Sequence, residues 1–118
     1  MTPDAFRAFA LSLPGASEGA HEGLATFLVR GRRFATLGWP DLHKVSMALS
    51  PAELELLLDI CPHAVARAPG GFGRMGHCHL DLGAADDATI RSVVTMSWRR
   101  HAPKKLAQAT SPPPADED

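Results

Sequence analysis

The chain has 118 residues, 45% of them hydrophobic and 21% charged, and a formal net charge of −1. This length suits one domain with a two-layer core and excludes two independent ones, and the composition is that of an ordinary globular protein. No apolar run approaches the roughly 20 residues needed to cross a bilayer, and the start lacks a basic region followed by an apolar core, so no membrane role and a cytoplasmic location are expected.

Thr2-Pro3 opens a helix, with Thr as N-cap and Pro at the first helical position, and Phe6, Phe9, Ala10 and Leu13 then form an apolar stripe. Pro14-Gly15 ends it, and the polar, Gly-interrupted stretch from Ala16 to Leu24 reads as a connecting loop. Ala25–Arg30 and Arg33–Gly38 are β-prone runs joined by Gly31-Arg32, the pattern of a hairpin with a type II′ turn. Trp39-Pro-Asp-Leu42 makes a second turn, and Val45, Met47 and Leu49 alternate with polar or small residues as in a half-buried strand.

Ser50-Pro51-Ala52-Glu53 is a capping box that launches a Leu-rich helix ending at Cys61-Pro62. His63–Arg67 is a short strand. The stretch Arg67–Leu82 follows, with Gly70, Gly71, Gly73 and Gly76 before a strand that places Cys78, Leu80 and Leu82 on one face and His77, His79 and Asp81 on the other. Asp86 or Asp87 caps a last helix with an apolar stripe through Ile90, Val93, Val94, Ser97 and Trp98. Periodicity is lost from Pro103, and residues 110–118 read as a disordered, Pro-rich acidic tail behind a single domain over residues 1–109. Strands in short succession with amphipathic helices predict an α+β two-layer domain, an antiparallel sheet with helices packed on one face.

The charge is unevenly spread. Residues 61–110 hold seven Lys or Arg against three Asp or Glu, while residues 1–60 hold five against seven. Arg30, Arg32 and Arg33 cluster at the hairpin, and Arg67 and Arg74 flank the glycine stretch, so these five are the candidate phosphate contacts for a nucleic acid. Trp39, Phe72 and Met75 lie in or beside turns and make an alternative surface for a small ligand or a protein partner.

Chemistry of other kinds finds little support. The serines show no nucleophile-elbow pattern, and no Gly-Lys-Ser/Thr follows the glycines, so neither catalysis nor a nucleotide P-loop is expected. His77 and His79 share a strand face, but the chain has no helical His pair and no Cys-x-x-Cys motif, so no metal and no cofactor are assigned. Cys61 and Cys78 are expected as free buried thiols.

Taken in order, Leu13-Pro14-Gly15 with Glu18 and His21, Arg33–Leu37, Leu49–Glu53, Pro69–Gly76 and Trp98–Leu106 resemble the landmarks of the MmcQ/YjbR family of small bacterial proteins. The resemblance spans residues 2–109 and departs at His77, where the family tends to carry Trp. It implies a fold similar to CyaY, the bacterial frataxin, in a double-wing arrangement, and a role in DNA binding. Frataxin-like iron binding does not transfer, because the first helix offers only Asp4 of the acidic ridge that it needs. The expectation is therefore a monomeric, non-enzymatic DNA-binding domain.

Overall fold

The computed structural model describes residues 1–109. The tail expected over residues 110–118 lies outside the described residues. The elements run α1 Pro3–Ser12, β1 Ala16–His21, β2 Leu24–Val29, β3 Arg32–Leu37, β4 Lys44–Ala48, α2 Pro51–Ile60, β5 Val65–Arg67, α3 Gly70–Arg74, β6 His77–Asp81, α4 Asp87–His101 and α5 Lys104–Ala109. The six strands form one antiparallel sheet in the order β1-β2-β3-β4-β6-β5. The class is α+β, as the alternating strands and amphipathic helices predict.

Helix starts follow the local chemistry. The Thr2 hydroxyl accepts from the Ala5 N–H, and the Asp86 carboxylate accepts from the Thr89 N–H at 2.8 Å. At α2 the Ser50 hydroxyl accepts from the Glu53 N–H while the Glu53 carboxylate accepts from the Ser50 N–H, the full capping box. Such caps satisfy amide groups that a helix start leaves open, each worth about 1 kcal/mol.

One face of the sheet carries the core. Phe27, Val29, Val45, Met47, Cys78 and Leu80 alternate inward along their strands and meet Phe6, Leu54, Leu57, Ile90, Val93, Val94 and Trp98 from the helices. Phe6 and Phe27 pack edge to face at 5.6 Å, and the Trp98 indole N–H donates to the Pro14 carbonyl at 3.0 Å.

Four local expectations are corrected. Ala16–His21 is the edge strand β1, not a loop. Among the described residues its only strand partner is β2, so it gains its form from one ladder of hydrogen bonds and buries little, which leaves no apolar alternation to read. The hairpin turn centres on Arg30 and Gly31, both at positive φ (52° and 82°), with Val29 paired to Arg32. That is the type I′ geometry, so the turn sits one residue earlier than the sequence pattern placed it. Finally, the glycine stretch coils into the single helical turn of α3, and Lys104–Ala109 forms α5 where periodicity was too short to detect.

A bulge interrupts β3. Phe27 faces Ala35 but Leu28 faces Arg33, so Phe34 is the extra residue, and Phe34 and Ala35 are both buried in succession. A bulged strand bends. The ladder between β3 and β4 accordingly holds only two pairs, Thr36 with Ser46 and Leu37 with Val45, and the strands part below them. The Ser97 hydroxyl of α4 reaches into the same place and donates to the Phe34 carbonyl at 2.6 Å.

Candidate functional site at the hairpin end and the open face

The strand directions bring distant parts of the sequence together. Chain β3 leaves the hairpin turn, β4 returns antiparallel to end at Ala48, and β6 starts at His77 directly beside Ala48. The hairpin turn and α3 therefore lie at the same end of the sheet. The C-terminus of α4 arrives there too, since Ser97 is bonded to Phe34 and His101 lines one concavity with Arg32 and Arg33.

This end is rich in unpaired cations. Arg30, Arg32, Arg33, Arg74, Arg99 and Arg100 are exposed, and none has a carboxylate within ion-pair distance among the described residues. Arg67 differs from the other sequence candidates because its guanidinium is bonded to Glu55 of α2, which neutralises its charge locally. Glu53 is the other carboxylate of this end, and it is engaged in its capping box. At the opposite end of the strands lie Glu22, Asp41, Asp59, Asp81, Asp86 and Asp87, in the β1–β2 turn, the β3–β4 loop, the end of α2 and the approach to α4. The sequence showed the clustering at the hairpin but not this segregation, which depends on strand direction.

The second feature is the face of the sheet that no described helix covers. Leu24, Arg33, Thr36, Ser46, Ala48 and His77 line a concavity of about 770 Å³ on that face, with Trp39 and the His21–Glu22 turn at one end and Arg32 and His101 at the other. A more open groove of about 900 Å³ on the helix side runs between Phe9 of α1 and Arg91, Thr95 and Arg99 of α4.

The apolar candidates separate. Trp39, 53% exposed, stands at the β3–β4 loop, whereas Phe72 lies in α3 and Met75 caps its C-terminus at the hairpin end. They do not share a patch. Phe72 instead packs its ring edge to face against His77, with centroids 5.3 Å apart.

Titratable groups are tuned modestly. Burial lowers His101, assisted by Arg32 and Arg100 and opposed by a hydrogen bond to the Ser97 carbonyl. That carbonyl can only accept, so the 2.8 Å contact puts a hydrogen on His101 Nδ1. Burial also lowers His79, with Lys44 adding to the effect. Burial pushes the Cys78 thiol up to about 12, with Cys61 adding to it, and raises Cys61 as well. Both cysteines are free, and neither is primed as a thiolate nucleophile. Among the described residues no three His, Cys, Asp or Glu side chains gather as a metal would require.

The family model described as YjbR matches residues 11–100. The chain belongs to the YjbR family. A solved relative in shape is the Deinococcus radiodurans protein DR2400, whose domain is described as DUF419. It is 18% identical, covers 84% of this chain and 77% of its own length, and has a TM-score of 0.67. At that identity the likeness carries the fold alone. Among curated proteins none matches the chain. The YjbR match takes in the hairpin, the glycine stretch and most of α4, hence nearly all of the cationic end.

Three site features escaped sequence reasoning. The Arg67–Glu55 pair joins β5 to α2 across 12 residues, and nothing local signals it. The place of Arg99 and Arg100 is the second: the sequence offers them as phosphate contacts at the end of the last helix, and only the docking of α4 on β3 brings them to the hairpin. The parting of β3 and β4 had one trace, the broken alternation at Phe34-Ala35.

Proposed function

We propose that this YjbR-family domain is a non-enzymatic DNA-binding module that engages the phosphate backbone with the hairpin end of its sheet. The observation that carries the reading is the convergence of Arg30, Arg32 and Arg33 with Arg74, Arg99 and Arg100 at one end, free of carboxylate partners among the described residues, while Glu22, Asp41, Asp59, Asp81, Asp86 and Asp87 lie at the other. A two-residue turn is narrow enough to approach a groove, and guanidinium groups suit phosphate oxygens because they present several donors in a plane. Contacts of this kind fix position on the duplex and carry no base preference. Arg67 contributes little, since Glu55 already holds it.

The test is a salt series with a fluorescently labelled duplex, read by anisotropy. Affinity should fall linearly on a log–log scale, and the triple change Arg30→Ala, Arg32→Ala, Arg33→Ala should reduce the slope by about 2.7, on the basis of about 0.9 per phosphate contact. The loss should be alike for unrelated sequences, and Arg67→Ala should change little. A triple variant that binds as the wild type does at low salt overturns the reading.

A further inference from the structure

The concave face of the sheet has features that a backbone-binding end does not need. Hydrogen-bond direction alternates along an antiparallel strand, so residues two apart turn their N–H and C=O groups to the same neighbour. The Leu49 N–H donates to Gly76 beside β6, and Lys44 accepts from the Gly38 N–H on the β3 side. Ala48, in step with Lys44, therefore aims both main-chain groups at β3, where β3 has bent away and the ladder has ended. A main-chain donor and acceptor of a central strand thus point past the end of the β3–β4 ladder, beside the 770 Å³ concavity that Ala48 lines. Most such groups in native sheets are paired.

The chemistry around them is asymmetric. Arg33 and Arg32 supply positive charge at one end of the cavity, close to Ala48 and the imidazole of His77. At the other end Trp39 offers a half-exposed indole, and Glu22, paired with His21 at 3.2 Å, supplies the negative charge there. An anion would be drawn to the arginine end and repelled from the tryptophan end, where a flat ring can stack. Between them the strand from Arg33 to Leu37 covers about 13 Å at about 3.3 Å per residue. The volume is that of a small-molecule site.

We infer that the open face is a binding site for a small aromatic anion of nucleoside monophosphate size, with its ring on Trp39 and its phosphate at Arg33, Arg32 and the Ala48 N–H. This site does not rest on the DNA reading, although the two share Arg32 and Arg33. It is tested with AMP as the probe, with adenosine and inorganic phosphate as its two halves. Of the two tryptophans, Trp98 is 1% exposed, so saturable quenching of the fluorescence reports on Trp39.

AMP should quench and saturate, while adenosine and phosphate should each bind at least about tenfold more weakly, as expected when one charged hydrogen bond or one stacking contact is lost. By calorimetry, Trp39→Ala and Arg33→Ala should each weaken AMP by a similar factor with unchanged melting. Trp39→Ala should leave duplex binding intact, so failure of this site and failure of the DNA reading can be told apart. No saturable binding of AMP, or binding of adenosine or phosphate as tight as that of AMP, overturns the inference. So does an AMP affinity unaffected by either variant.

Discussion

Two glycine-bearing turns sit at the same end of the sheet, and they behave in opposite ways. In the β2–β3 hairpin, Gly31 has nothing within 4 Å of where a Cβ would stand, and the turn projects three exposed arginines. In the stretch from β5 to β6, Gly76 lies with its backbone against β4, where a Cβ would come within 1.8 Å of the Leu49 carbonyl oxygen, and Gly73 is pressed against Ala68 in the same way. The sparse turn is the one free to meet a partner. The dense one is a clamp that holds β6 to the end of β4, tied by the Leu49 N–H donating to the Gly76 carbonyl at 2.9 Å. Glycine density by itself therefore says nothing about binding.

The contrast is sharpest in stability. Gly76→Ala meets both a left-handed φ of 103° and a backbone collision, and should cost about 2–5 kcal/mol, the sum of a left-handed penalty and an overpacking penalty. Urea unfolding measures it, and a loss under about 1 kcal/mol would remove the distinction between the turns. Gly31→Ala carries only the conformational penalty, about 1 kcal/mol, because the added methyl meets open space.

The smallest effect is protonic and belongs to the hairpin side. His101, near Arg32, is lowered by burial, so as pH falls the unfolded chain takes up its proton first. Its contribution is fully present above the ordinary histidine value and is lost as pH drops from about 6.5 toward the lower folded value. His79 acts in the same direction. Urea midpoints measured between about pH 7 and pH 5 should fall less steeply in His101→Gln than in the wild type. Equal slopes would show that His101 is as accessible to protons in the fold as outside it.

Much of the scaffold was legible because its signals are local. The Ser50–Glu53 capping box, the alternation of Val45, Met47 and Leu49, and the stripe through Ile90, Val94 and Trp98 each predict an element from neighbours in sequence, and each element is present. Strand β1 was not legible, because an edge strand of Ser, Glu, Gly and His takes its form from a partner and not from burial. The site was legible only in part. Arg30, Arg32 and Arg33 are adjacent in sequence and stay adjacent in space. Whether Arg74, Arg99 and Arg100 join them depends on which way β4 and β6 run, and single residues do not encode that.

The segregation of charge along the strands gives this nearly neutral chain a direction. Its net charge of −1 would predict indifference to a polyanion at long range. Salt screens interactions beyond about 8 Å under physiological conditions, a shorter span than the sheet itself, so an approaching phosphate senses the nearer pole and not the sum. On the proposed DNA-binding reading, this electric dipole would turn the hairpin end toward a negative surface and the acidic end away from it. Orientation is then favoured before contact, and neutralising carboxylates of the acidic end should relax it without altering any side chain of the hairpin end.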